Sequence, residues 1–286
     1  MGDRVGAIEA GGTKIVCAVG SGPADLEEVR FSTGDPASTI GRIGAFFQSA
    51  GDIGAIGIGT FGPAGVDPAQ PDTYGRILNT PKHGWKNSDL VSPLRESLGV
   101  PIHFDTDVNA AAFGEGKWGA AMGLHSFVYL TVGTGIGGGA MIGGRILHGS
   151  LHPEIGHLRI PHDLQRDPFA GCCPFHGDCL EGLACGPAIE KRWGWDPREL
   201  PPEHEAWHLQ AHYLGLALAN LSLTLSPQMI ILGGGVMEQA QLFPPVRAEL
   251  DQQLNGYLES PEVVPPALGN RAGILGAVAL AQQLIA

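Results

Sequence analysis

At 286 residues and 43% hydrophobic, the chain exceeds the size at which one core usually stops growing, so two lobes are expected. Lys and Arg number 17 against 29 Asp and Glu, and the net charge of -12 disfavours nucleic acid or an anionic membrane as partner. The five cysteines are an odd count, no charged and apolar leader opens the sequence, and no run approaches a membrane span, which together predict a cytoplasmic chain with reduced thiols.

Val5, Ala7 and Ile8 predict a short strand, closed by E-A-G-G-T-K from Glu9 to Lys14, and Ile15, Val16, Ala18 and Val19 predict its return. Glycines 11 and 12 let the backbone approach a ligand, and amides near Thr13 and Lys14 suit a phosphate, although a plain glycine hairpin explains the segment equally well alone. It is not a Walker loop, because the glycine spacing differs and a strand follows where a helix should.

Ala55 to Gly62 reads as a strand with small positions, Thr80 to Trp85 as a loop and Pro93 to Gly99 as a short helix. I-H-F-D-T-D, from Ile102 to Asp107, has a buried-strand pattern ending in carboxylates, and Asn109 to Glu115 continues as a helix. Asp107 at that boundary is either a plain N-cap or a general base placed to take a hydroxyl proton.

Phe127 to Val132 predicts another strand, followed by G-T-G-I-G-G-G from Gly133 to Gly139 and a returning strand from Ala140 to Ile142. This contains a formal G-x-G-x-x-G, but the glycines lead into a hairpin and not into the helix a dinucleotide fold requires. Strand, Gly-Thr turn and strand thus occur once near the start of each lobe. Two such units facing each other would clasp a polyphosphate.

From Glu154 to Glu181 the chain gathers His157, Cys173, His176 and Cys179, an N2S2 set that suits tetrahedral zinc, with C-x2-H-x2-C as its compact part. Four protein donors leave no open position for water, which argues for a structural ion. Cys172 could compete, but neighbouring side chains tend to point apart, so one of the pair is expected to bind. Glu154 and Glu181 flank the set, which reads as a staple beside a substrate pocket.

Ala184 to Trp193 and Glu203 to Leu225 predict helices, the second carrying His204, His208 and His212 at i, i+4 and i+8. A solvated or packed face explains these better than a second metal. Met229 to Leu232 predicts a strand ending in Gly233, Gly234, Gly235 and Val236, a turn suited either to a nucleotide base or ribose or simply to a change of direction. Residues 255–270 read as a connection and Ala272 to Ile285 as a terminal helix.

E-A-G-G-T-K, D-T-D-V-N-A-A-A-F-G-E, T-V-G-T-G-I-G-G-G, E-I-G-H, C-P-F-H-G-D-C-L-E-G and I-L-G-G-G-V, in that order, resemble the ROK family of sugar kinases, with the likeness nearest to its fructokinases. The resemblance implies an α/β, actin-like ATPase (ribonuclease H-like) fold, with two lobes of mixed sheet around a cleft. The lobes are expected at residues 1–108, completed by 271–286, and at 109–270, with the zinc-binding insertion at 154–181. It implies Asp107 as catalytic base, Glu154, His157 and Glu181 with Asp107 at the sugar hydroxyls, Gly11, Gly12, Thr13, Lys14, Gly133, Thr134 and Gly135 at the phosphates, and Gly233 to Val236 on the adenosine side. Zinc at His157, Cys173, His176 and Cys179, magnesium with ATP, and a homodimer follow from the same likeness. Thr106 stands where the family's glucokinases usually have Asn, and C-P-F-H replaces a thiolate of their zinc motif with imidazole. Both departures point away from glucose.

The expected reaction is transfer of the ATP γ-phosphate to a hexose hydroxyl, most simply fructose at C6, with mannose or glucose as alternative acceptors. A catalytically silent sugar-binding protein is the rival of a different class. A DNA-binding regulator is disfavoured by the acidic charge and by the immediate start of the first strand.

Overall fold

The structure, a computed structural model, describes residues 4–286. Its strands are β1 (Val5–Ala10), β2 (Lys14–Gly20), β3 (Glu27–Ser32), β4 (Ile56–Thr60), β5 (Arg76–Ile77), β6 (Ser88–Asp89), β7 (Ile102–Thr106), β8 (Phe127–Val132), β9 (Ile136–Ile142), β10 (Arg145–Ile146), β11 (Met229–Gly233) and β12 (Glu262–Val264). The helices are α1 (Pro36–Ser49), α2 (Val91–Leu98), α3 (Asp107–Trp118), α4 (Leu180–Ala184), α5 (Gly186–Trp193), α6 (Ala206–Leu225), α7 (Phe243–Leu254) and α8 (Ala272–Gln282). Two five-stranded sheets follow one plan, β3-β2-β1-β4-β7 and β10-β9-β8-β11-β12. In each, a hairpin (β1 with β2, β8 with β9) is antiparallel and the two strands added on the side of its first strand (β4 and β7, β11 and β12) are parallel, while β3 pairs antiparallel with β2.

The chain divides into two compact units. One runs to Gly123 and takes in Ile146–Pro153 and Asn270–Ala286, and the other comprises Leu124–Arg145 and Glu154–Gly269. In the first, β1 and β4 are covered on both faces, which is why Val5, Ala7, Ile8, Ile56 and Ile58 are all buried. Ile43 and Phe47 of α1 with Val91 and Leu94 of α2 pack one face, and Ile274, Ala277, Val278 and Ala281 of α8 pack the other. The expected boundary at residue 108 gives way here, because α3 closes on α8 inside this unit. A Cβ added at Gly276 would lie 1.7 Å from the Ala110 carbonyl oxygen, so backbone meets backbone. In the second unit α6 carries buried Trp207, Leu214, Leu218 and Leu221, and its Gln210 amide donates to Ala184 O at 2.6 Å, tying it to α4.

Several elements differ from expectation. Residues 137–139 are in β9, paired with Thr131, Leu130 and Tyr129, so the second glycine turn is confined to 133–135. The helix expected over 184–193 starts at Gly186, with Pro187 in its first turn, and is separated at Cys185 from α4, a short helix that was not expected. The long helix starts at Ala206 and not at Glu203, and α2 starts at Val91. α1, α7 and the edge strands β3 and β12 were not expected. No helix among the described residues is long and apolar enough to cross a membrane.

Candidate active site and metal centre

In the first unit, the turn between β1 and β2 is fixed by its neighbours. Gly11 N–H donates to Lys14 O at 2.9 Å, while Thr33 donates its N–H to Thr13 O at 3.0 Å and its hydroxyl to Gly11 O at 2.7 Å. Thr13 and Lys14 remain exposed at the tip. Such a turn presents amides to an anion with little left to order.

Where β7 passes into α3, the N-cap is Thr106, whose hydroxyl accepts the Asn109 N–H at 3.2 Å. Asp107 is therefore the first helical residue and not the cap. It is half-buried, and its Oδ1 accepts the Val108 N–H at 2.9 Å. Residues that the sequence reading passed over lie beside it. Asp105 is wholly buried, its Oδ1 accepts from Thr106 N–H and from Asn109 Nδ2, both at 2.7 Å, and its Oδ2 lies 2.9 Å from His148 Nε2. That hydrogen bond to Asp105 holds the His148 pKa above its ordinary value. His152 is different: its Nε2 accepts the Ala64 N–H at 3.0 Å, and burial lowers its pKa, as a neutral acceptor requires. The only prior signal for Asp105 was its place in D-T-D, and His148 offered none.

The second unit gathers most of the remaining candidates. Gly133 N–H donates to Gly135 O at 2.9 Å, and Gly186 N–H donates to Gly133 O at 2.7 Å, so the start of α5 fixes the glycine turn. Gly234 has φ 89°, and a Cβ there would lie 2.5 Å from Val132 O, so only glycine brings the Gly233–Val236 turn against the end of β8. Glu181, the second residue of α4, accepts the Ile136 N–H through Oε2 at 3.0 Å. Glu154 immediately precedes a 3-10 turn at Ile155–His157. Its surface is exposed, yet desolvation of the carboxyl, followed by the charge of Glu181, pushes its pKa up to about 7.

His157, Cys173, His176 and Cys179 place one donor atom each within 4.8 Å of one another. His157 Nδ1 is 3.5 Å from Cys179 Sγ and 3.7 Å from Cys173 Sγ, and His176 Nδ1 is 3.7 Å from Cys173 Sγ. A tetrahedron with metal–ligand distances of about 2.0–2.3 Å has edges of about 3.6 Å, so the donor set fits zinc. Paired backbone bonds between Cys173 and Gly177, at 3.0 and 3.1 Å, form the knuckle. Cys172 turns away, its Sγ 3.7 Å from that of Cys185. Burial pushes the Cys179 thiol up to about 11, so a bound cation must displace its proton.

The three histidines of the 203–225 stretch have separate surroundings. His204 precedes α6 and accepts the Ala206 N–H at 3.1 Å, His208 is exposed, and His212 Nδ1 lies 2.9 Å from Glu249 Oε1.

Two mixed sheets of one plan, each with a glycine turn at its first hairpin, define an actin-like ATPase fold. The sequence matches the ROK family over residues 5–284, and the chain belongs to that family. It is 44% identical to a fructokinase of Zymomonas mobilis, with 96% of this chain and 95% of that one covered. It is 42% identical to a fructokinase of Pediococcus pentosaceus, with 97% of each covered. Among solved structures, a ROK hexokinase from Thermus thermophilus superposes with a TM-score of 0.83 at 31% identity, covering 99% of both chains.

Proposed function

We propose that the chain is an ATP-dependent fructokinase that converts fructose to fructose 6-phosphate. The observation that carries the mechanism is the position of Asp107, half-buried at the first turn of α3 and relieved of capping by Thr106. The fructokinase relatives, matched over nearly their whole length, supply the acceptor.

Phosphoryl transfer requires an aligned hydroxyl, donors for the phosphate charge and a base for the departing proton. Asp107 accepts the proton of the sugar hydroxyl as its oxygen attacks the γ-phosphate of magnesium ATP. With few basic residues available, backbone amides at Gly11, Gly12, Thr13 and Lys14 and at Gly133, Thr134 and Gly135 meet phosphate oxygens, and Lys14 adds one cation. The Gly233–Val236 turn serves the adenosine. Glu154, His157 and Glu181 orient sugar hydroxyls. His157, Cys173, His176 and Cys179 would hold a zinc ion, which would keep the segment carrying all three of those groups in one shape. A homodimer and a cytoplasmic setting complete the reading.

The test is ADP release from magnesium ATP with fructose, mannose, glucose and N-acetylmannosamine. Fructose giving the highest kcat/KM supports the assignment. Silence on every sugar, with the fold intact, would make this a sugar-binding protein.

A further inference from the structure

Asp105 and Asn109 stand two residues before and two residues after Asp107, and their side chains meet, Asn109 Nδ2 donating to Asp105 Oδ1 at 2.7 Å. The same oxygen accepts the Thr106 N–H at 2.7 Å, and the Thr106 hydroxyl accepts the Asn109 N–H at 3.2 Å. Three bonds therefore close the segment that carries Asp107. Asp105, Thr106 and Asn109 are 0%, 3% and 1% exposed, so water does not compete for them. His148, from outside both the strand and the helix, takes the other Asp105 oxygen at 2.9 Å.

Packing alone does not explain an asparagine here. Asn109 Oδ1 is buried and has no hydrogen-bond partner among the described residues. A buried carbonyl in that state lowers stability relative to an apolar side chain of similar size. What asparagine adds, and leucine cannot, is the bond to Asp105.

We propose that Asp105 and Asn109 are positioning residues, a bracket that holds Asp107 in line for proton transfer, and that His148 secures the bracket through Asp105. This rests on Asp107 being the base. Reaction geometry is the sensitive quantity, since a misplacement of about 1 Å can slow a reaction ~10²-fold. Asp105→Asn is the conservative change. Its amide oxygen still accepts from Thr106 and Asn109, and its NH2 donates to a neutral His148.

The experiment measures kcat and KM for fructose at saturating magnesium ATP, with thermal unfolding, in Asn109→Leu, Asp105→Ala, Asp105→Asn and Asp107→Asn. The bracket predicts that Asn109→Leu lowers kcat by ~10 to 10²-fold with KM unchanged and Tm equal or higher, that Asp105→Ala also loses kcat, and that Asp105→Asn recovers most of it. Normal kcat in Asn109→Leu, or a loss confined to Tm, would overturn the bracket while inactivity of Asp107→Asn kept the base. Turnover retained by Asp107→Asn would overturn both. If Asn109→Leu does not fold, His148→Gln is read in its place, with a fall in kcat at constant KM expected and an unchanged kcat overturning the proposal.

Discussion

Glu181 accepts the Ile136 N–H at 3.0 Å, and a Cβ at Gly135 would lie 2.7 Å from the same carboxylate oxygen. The glycine is thus what lets Glu181 reach the start of β9. Cys179, a candidate zinc ligand, lies two residues before Glu181 in sequence. Glu181 thus ties the end of the metal loop to the residue that follows the 133–135 turn.

Glu181→Ala removes the acceptor and leaves a backbone N–H to be satisfied elsewhere, at a cost of about 1–3 kcal/mol. Loss of the proposed contact to the sugar is expected to raise the fructose KM by ~10-fold or more, a factor of ten being about 1.4 kcal/mol. Glu181→Gln keeps an oxygen for Ile136 and is expected to lie between the two. Steady-state kinetics with fructose varied checks the order.

Metal content is the second prediction. The purified protein is expected to hold about one zinc ion per chain and Cys179→Ser to hold little, as four-ligand structural sites do. Stripping zinc is expected to raise the fructose KM before it abolishes the fold. Element analysis beside kinetics tests both parts, and an unchanged KM in zinc-free protein would remove the staple from the account.

Much of this was legible because chemistry-bearing residues came in short, ordered motifs. The N2S2 donors, both glycine hairpins and the carboxylate at the end of β7 were readable from spacing alone. What escaped had no local signature. β3 is a polar edge strand, E-E-V-R-F-S, that owes its existence to pairing with β2. α1 is the exception, because Asp35, which accepts the Ser38 N–H at 3.0 Å, followed by Pro36 at the first helical position is a local start signal. His148 meets Asp105 across 43 residues of sequence, and a contact made by tertiary folding leaves no pattern for periodicity to find.

His148 also sets a pH dependence. Its pKa is raised in the folded protein by the hydrogen bond to Asp105 and by the charges of Asp105 and Asp67. Its contribution to stability is therefore fully present below the unfolded value of about 6.5 and fades as pH rises through the folded value. His103 and His152 face the same group with pKa values lowered by burial, so they act oppositely, weakening the fold as pH falls below about 6.5. The difference in Tm between wild type and His148→Gln isolates the first effect. It is expected to be larger at pH 6 than at pH 8.5 (about 0.5 below and 2 above the unfolded value), and the reverse order would contradict the Asp105 pairing.

Gly276 tests the packing of α3 on α8. With 1.7 Å between an added Cβ and Ala110 O, Gly276→Ala must move backbone, and overpacking of this kind costs about 1–3 kcal/mol. A lowered denaturant midpoint is expected. Unchanged stability would mean the helices can part freely.

The most direct test of the central claim is turnover of fructose with magnesium ATP by Asp107→Asn, alongside fructose affinity measured without nucleotide. The account predicts a loss of ~10² to 10⁴-fold in kcat with affinity largely kept, the range that general base catalysis supplies. Near-normal turnover would show that Asp107 is not the base.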